Sequence, residues 1–433
     1  MGASPRMVLA CSLPYTLELA NIQCNKENIK QRKKVIIQAL KAVSQECKHT
    51  KESEVNKCLF CNELWQDSNV PILETIKIIQ SLENSNKVNA GRGSFLNEKG
   101  EIETESLIAT TEPSLALSAF CSSQYLFPAH LLHFEEILKD DLYPAFLSKP
   151  RFEGGVPFLI PSPDKKRKKK WKMKEEILKD SKTPYAQVLE LSDTVGVCTI
   201  NYRGNGAVAS SSGGPWCHKE RRIGMVSSFG SGSYVETSIL QFPDTEDKRS
   251  CKLTIALTIS GDGNEILRRA VAIKIYHSYL GCFKILMQTK PLVDLLNDKT
   301  VSCQSIMEQS KTPTCKIFND EIKVLVEELS FGCIMTVSLK LDQEDEKEGD
   351  CNVGYELTVI HTTVTPNFVY GYKFPSDTKP KIMTNSMSKG GDVKIKTIYP
   401  KKLMSSTCLR GKIRIYHKYS TFNFTFIQIC FRN

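Results

Sequence analysis

No apolar run in this 433-residue chain approaches the roughly 18 residues that a membrane-spanning helix requires, so no membrane partner is expected. Met7-Val8-Leu9-Ala10-Cys11 is apolar but short, and Pro14 and Glu18 interrupt it before it resembles a secretory signal. A metal-ligand set is also missing. Cys58-Leu59-Phe60-Cys61 stands without a second CxxC or paired histidines, whereas a structural zinc needs four ligands. We therefore expect neither metal nor cofactor. Most of the 16 cysteines sit singly in apolar runs, as Cys198, Cys251, Cys282, Cys333 and Cys430 do, where a reduced thiol behaves as a small hydrophobe. Reduced thiols suit the cytoplasm or nucleus. No internal repeat is visible.

What is present is a globular composition, 41% hydrophobic and 24% charged, with a net charge of +10 that favours acidic partners. Much of the excess is local. Residues 144–193 hold Pro144, Pro150, Pro157, Pro161 and Pro163, then Lys165-Lys166-Arg167-Lys168-Lys169-Lys170. Such a block repels itself and stays solvated, which reads as a loop or linker, and its density resembles a nuclear import signal. Trp171 is its only neighbouring aromatic, which argues against nucleic-acid binding.

Helical spacing marks residues 28–46 and a second helix opening near Pro71, while a third is expected over 130–139. After Thr194 the pattern turns to strands. Val195, Val197 and Thr199 alternate, Arg203-Gly204-Asn205-Gly206 supplies a turn, and Ala207–Ser212 returns. Further strands read at Leu253–Ser260, Ile334–Leu339, Tyr355–Thr363 and Phe368–Tyr372. One helix is expected to run through Ile266, Leu267, Ala270, Val271 and Ile273. The acidic stretch Asp342–Asp350 reads as a solvated hairpin tip. Helices, strands, helices and strands again suggest helical layers around packed sheets.

The chemistry concentrates at Asp193-Thr194-Val195-Gly196. A threonine hydroxyl is a poor nucleophile alone, but a free α-amino group beside it has a pKa near ~7.7–8.0 and accepts its proton at neutral pH. That amine exists only once the preceding peptide bond is cut. Attack by Thr194 on the Asp193 carbonyl gives an ester by an N-to-O acyl shift, which water hydrolyses, with Asp193 placed to act as acid or base. The hairpin brings Ser211 and Ser212 back beside the start of the outgoing strand, where a hydroxyl can bond the nucleophile. Ser260-Gly261-Asp262-Gly263, at a helix start, offers free N–H groups for an oxyanion.

The order of these pieces carries a resemblance. Asn89-Ala90-Gly91-Arg92-Gly93-Ser94-Phe95-Leu96-Asn97-Glu98-Lys99-Gly100-Glu101-Ile102-Glu103 matches N-A-G-x-G-x-x-L-N-x-x-G-x-I-E. Thr194-Val195-Gly196, Gly204-Asn205, Ser211-Ser212-Gly213-Gly214, Arg222-Ile223-Gly224 and Gly230-Ser231-Gly232 follow in order. The chain thereby resembles the plant-type asparaginase and glycosylasparaginase family of N-terminal-nucleophile hydrolases, and within it the threonine aspartase (taspase) branch. The likeness is good over roughly residues 70–275 and looser over Tyr355–Met387.

The resemblance implies an α+β fold, a four-layer αββα sandwich. It implies cleavage between Asp193 and Thr194 into an alpha subunit, 1–193, and a beta subunit, 194–433, which together form one domain and assemble as two such units. Thr194 would be the nucleophile, Ser212 its hydroxyl partner, and Asn89, Gly261 and Gly263 would line the centre. Arg222 would pair with a substrate carboxylate. Where amidase members carry an aspartate that binds a free substrate ammonium, this chain has Met225. That favours an endopeptidase cutting after aspartate in protein substrates, expected to be nuclear regulators met in the nucleus and cytoplasm. The alternatives are a β-aspartyl amidohydrolase or asparaginase of the same fold, and a non-catalytic relative acting as a binding protein. The last is suggested by Ala10-Cys11-Ser12-Leu13-Pro14 standing where the family has H-A-G-A-G.

Overall fold

The computed structural model describes residues 30, 33–38, 70–84, 90, 103–111, 114–122, 193–201, 203–212, 224–242, 250–289, 294, 302–326, 329, 331–341, 353–362, 367–374, 380–386, 393–400 and 424–431. Over these residues the fold is a stack of two antiparallel sheets with helices on both outer faces. The first sheet contains β1 (Glu103–Thr111), β2 (Ser114–Ser122), β3 (Asp193–Ile200), β4 (Gly206–Ser212), β9 (Asn367–Lys373), β10 (Lys381–Ser386) and β12 (Phe424–Phe431), in the order β10-β9-β12-β3-β4-β1-β2. The second contains β5 (Ser233–Gln241), β6 (Ser250–Gly261), β7 (Phe331–Leu341), β8 (Val353–Thr362) and β11 (Val393–Ile398), in the order β11-β8-β7-β6-β5.

Strand alternation decides which side chain enters which layer. Along β3, Thr199 meets Thr75 of α1 (Val70–Asn84) through their hydroxyls at 2.5 Å. Ser211, opposite Val195 on β4, donates to Glu83 of the same helix, also at 2.5 Å. One face of the hairpin therefore lies under α1. The other face, carrying Thr194, Gly196 and Cys198, turns to the second sheet. Cys198 packs there with Ala256, Ile334 and Leu357 in the core between the sheets. Phe368, Tyr370 and Tyr372, spaced by two along β9, stack in sequence with ring centroids 5.6 and 6.5 Å apart and fill the same layer.

The outer face of the second sheet repeats the logic. Leu253, Ile255, Leu257 and Ile259 of β6 alternate with Thr254, Ala256, Thr258 and Ser260, and the apolar set packs against α3 (Val271–Met287) and α4 (Cys303–Val326). Each large side chain sealed here contributes ~1.5–3 kcal/mol. The helix expected as one piece through Ala270 is two. α2 (Gly263–Arg269) stops at Ala270, which sits at φ 49 in the left-handed region, and α3 restarts immediately. The reason is visible next door: the Ala272 and Ile273 N–H groups donate to the carbonyls of Ser231 and Gly230, so a loop takes the amides that a continuous helix would use.

The layer order of helix, sheet, sheet and helix is compatible with the expected α+β sandwich. Residues 33–38 and Val70–Asn84 are helical where helices were expected. β3, β4, β6, β7, β8 and β9 cover the expected strands with longer ends. Pairing of Lys340 with Val353 makes β7 and β8 a hairpin around the acidic stretch. That stretch, the residues 144–192, the segment 130–139, Cys58 and Cys61, and Ser12 and Pro14 lie outside the described residues. The reduced-thiol expectation agrees with Cys198, Cys251, Cys282 and Cys333, all buried and unbridged. No described helix is long and apolar enough to cross a membrane.

Gly196 fixes how closely the sheets approach. A Cβ there would stand 2.4 Å from Thr258 Oγ1 and 2.7 Å from its Cγ2, well inside contact distance. Gly196→Ala is expected to lower stability by about 1–3 kcal/mol in urea unfolding, and Thr258→Ala in the same chain should return most of that loss. Additive effects of the two changes would show that the contact does not set the spacing.

Candidate functional site

Thr194 stands at the head of β3, a strand paired along both edges. β4 lies along one edge, with Val195 opposite Ser211, and β12 along the other, with Thr194 opposite Cys430 and Asp193 opposite Phe431. One step beyond the Val195 pair, the Thr194 hydroxyl donates to Ser212 Oγ at 3.1 Å. Both residues are buried, 6% and 4% exposed, so the bond is sheltered from competing water. Because Thr194 is the donor in this bond, Ser212 does not engage the lone pairs of the Thr194 oxygen.

Below this pair runs a ladder of buried hydroxyls between the sheets. Ser233 Oγ donates to Ser210 Oγ at 3.0 Å and to Thr258 Oγ1 at 3.2 Å, and Ser210 donates to the Val226 carbonyl at 3.3 Å. Small polar residues let the sheets close here, whereas aromatics hold them apart at the β9 end. Gly206 and Gly196 of the first sheet face Thr254 and Thr258 of β6. The same stagger carries Thr194 toward the Ser260–Gly261 end of that strand, where Ser260, Gly261 and Gly263 are all buried.

Beside Ser212, in register on β1, lies Glu105. It is 5% exposed, and its Oε2 accepts the Gly224 N–H at 2.8 Å and the Ser227 hydroxyl at 2.6 Å. Gly224 is required at that point, since a Cβ on it would fall 1.9 Å from Glu105 Oε1. The carboxylate thus anchors the turn that follows Arg222, and Ser118 adds a bond to the Ser227 carbonyl at 2.6 Å. Glu105 was not singled out by sequence. The signal was available, because a carboxylate just ahead of the apolar run Leu107-Ile108-Ala109 is drawn into a buried strand and demands a partner.

Three sequence expectations change in detail. The helix start after Gly263 does not gather free amides, because the Asp262 side chain already accepts from the N–H groups of Asn264 at 3.1 Å and Glu265 at 3.4 Å. Met225 does not line an open cleft; it is 5% exposed and packs in the apolar core under α3. Ser211, considered beside Ser212 as a hydroxyl for the nucleophile, points the other way to Glu83. Asn89 and Arg222 lie outside the described residues, while Ala90 occupies a buried turn. No group of metal-binding side chains occurs among the described residues.

Burial pushes the Cys198 thiol, in the layer between the sheets, well above its usual range. On the outer face of the second sheet, Cys282 of α3 rises to about 11 through burial and the nearby Glu321 carboxylate. Neither suits a thiolate nucleophile at neutral pH.

No family model matches this chain. Two curated proteins are similar to it, both called isoaspartyl peptidase/L-asparaginase. The one from Bos taurus is 32% identical over 165 residues, covering 36% of this chain and 52% of the relative. The one from Xenopus laevis is 29% identical over 203 residues, covering 45% and 59%. The chain thus spans between half and three-fifths of the length of these relatives, and the likeness supports a hydrolase related to that group.

Glu105→Ala should strip the Gly224 N–H of its acceptor and cost about 2–4 kcal/mol, given hydrogen bonds to a charged group of ~1.5–3 kcal/mol each. Glu105→Gln, which keeps one acceptor oxygen, should lose less. Equal melting temperatures for wild type and Glu105→Ala would show that the carboxylate does not hold the turn.

Proposed function

We propose that the chain is an N-terminal-nucleophile hydrolase that activates itself by cutting between Asp193 and Thr194 and then hydrolyses aspartyl amide bonds. The observation that carries this reading is the buried Thr194–Ser212 hydroxyl pair at 3.1 Å, at the head of a strand clamped on both edges. The first bond to break is the Asp193–Thr194 amide. Thr194 Oγ adds to the Asp193 carbonyl carbon, the C–N bond breaks to free the Thr194 amine, and an ester remains. Water then opens the ester, leaving a carboxylate on residue 193 and a free N-terminal threonine.

The second reaction uses the same atoms in a different role. The α-amine takes the Thr194 hydroxyl proton as the oxygen attacks a substrate carbonyl, then returns a proton to the departing amine. Ser212 orients the oxygen. Water releases the acyl group, and the free N-terminus is restored. Asp193 and Arg222 keep the roles that the resemblance gives them, as does Asn89, and a glycine-rich end of β6 at Gly261 and Gly263 leaves room for a substrate main chain.

Two substrate readings follow. The names of the bovine and Xenopus laevis relatives support small β-aspartyl amides and asparagine as the first choice. Met225 favours a second, cleavage of protein chains after aspartate in the manner of threonine aspartase. Its side chain is packed in the core and supplies no anion for a free substrate ammonium, whereas an aspartyl residue within a polypeptide carries none. The nuclear destination and the assembly of two cleaved units belong to the same proposal.

A denaturing gel tests the activation step. Purified wild type should yield fragments of residues 1–193 and 194–433, and Thr194→Ala should stay whole; an intact wild-type chain after prolonged incubation would end the proposal. Ser212→Ala should slow cutting by on the order of tenfold to a hundredfold, the scale of losing one positioned group. The substrate question needs a separate assay with the cleaved protein, offering β-aspartyl dipeptides, asparagine and an acidic peptide containing Asp-Gly. Turnover of the dipeptides and asparagine alone is the expected result. Turnover of the acidic peptide alone would replace it with the endopeptidase reading.

A further inference from the structure

Away from the Thr194 site, the second sheet ends in a strand whose outer edge pairs with nothing among the described residues. β11 is hydrogen-bonded to β8 on one side, from Val393 opposite Thr362 to Ile398 opposite Leu357, and closes the strand order there. A groove of about 500 Å³ runs along it, lined by Val393, Lys394, Ile395 and Lys396 of β11 and by Asn319 and Lys323 of α4. Four consecutive strand residues line it, so it follows the backbone rather than one face. Val393 and Ile395 are half-buried against the core, while Lys394 and Lys396 are exposed.

The charges select the occupant. The groove lining holds three lysines and no carboxylate. On α4, Asp320 sits 3.7 Å from Lys323 in an exposed pair. Edge lysines discourage the same edge of a second copy from pairing, because like charges would face across the new ladder. They attract the opposite case, an extended segment whose side chains alternate between acid and apolar. Its main chain would pair with the outer edge along Val393–Lys396, which has no strand beside it among the described residues, its acids would meet Lys394 and Lys396, and its apolar set would extend the surface of Val393 and Ile395.

We infer that β11 is a docking edge for an acidic, extended segment of a partner protein, added to the second sheet as a further antiparallel or parallel strand. The site is separate from Thr194 and does not depend on hydrolysis. It would hold an acidic partner protein without occupying the Thr194–Ser212 site.

The test uses the full chain and a fluorescein-labelled peptide of alternating glutamate and valine, read by fluorescence anisotropy. Binding should weaken as salt rises, and Lys394→Glu with Lys396→Glu should weaken it by on the order of tenfold or more. The pair Lys394→Ala and Lys396→Ala, with an unchanged melting curve, gives the same direction without charge repulsion. Methylating alternate peptide nitrogens should abolish binding, because strand addition needs those donors, and hydrogen exchange should slow over residues 393–398 in the complex. Thr194→Ala should bind as wild type does, which separates this result from the fate of the catalytic proposal. Equal binding of a glutamine–valine peptide, equal binding by the lysine variants, equal binding of the methylated peptide, or capture of duplex DNA with none of the acidic peptide would each overturn the inference.

Discussion

The approach of two sheets at Gly196 is the constraint on which the site rests. Thr258 occupies the space that any larger residue at 196 would claim. Because that space is shared, Thr194 two residues earlier is carried down into the buried layer rather than left on a splayed edge. The hydroxyls of Ser210, Ser233 and Thr258 then hydrogen-bond in a gap too narrow for aromatic side chains. At the other end, the rings of β9 fill a wider gap. A buried polar layer is tolerable between the sheets at Gly196 only because its hydroxyls find partners.

Two buried carboxylates hold this end in place from opposite sides. Glu83 reaches Ser211 from α1, and Glu105 reaches the Gly224 N–H and the Ser227 hydroxyl from β1. Their partners flank Ser212 in sequence and in space. Removing water from a carboxylate is costly, so such groups persist where they fix geometry that apolar contacts would leave loose. The turn after Arg222 is therefore tied to the same strand pair that presents Ser212.

Much of this was legible in the chain before any coordinates. Period-two alternation gave β3, β4, β6, β7 and β8, because each has one face against a sheet and one against helices. Hairpin length alone brought both Ser211 and Ser212 back beside Thr194, and the resemblance singled out Ser212. What stayed hidden were features set by distant partners. β11, with lysines alternating with apolar residues, looks like solvent-exposed chain until β8 is placed beside it. Helix α4 is polar on average and carries Lys311 and Pro313 within it, so its apolar positions do not read as one continuous helix. The break at Ala270 has no glycine or proline to mark it and comes from the carbonyls of Ser231 and Gly230. The role of Met225 also needed the core: sequence comparison marks it as a missing anion, and packing shows where its side chain goes.

The strand at residues 424–431 carries a consequence for timing. It lies between β3 and β9, and its residues Cys430 and Phe431 pair with Thr194 and Asp193. The residues on either side of the Asp193–Thr194 bond are thus held by a strand that comes far later in the chain. While the chain is still emerging from the ribosome, β3 lacks that neighbour, and Thr194 has no fixed register against it. Order at the head of β3 is thus set by a contact distant in sequence, so a change that loosens residues 424–431 would loosen the backbone at Thr194 as well.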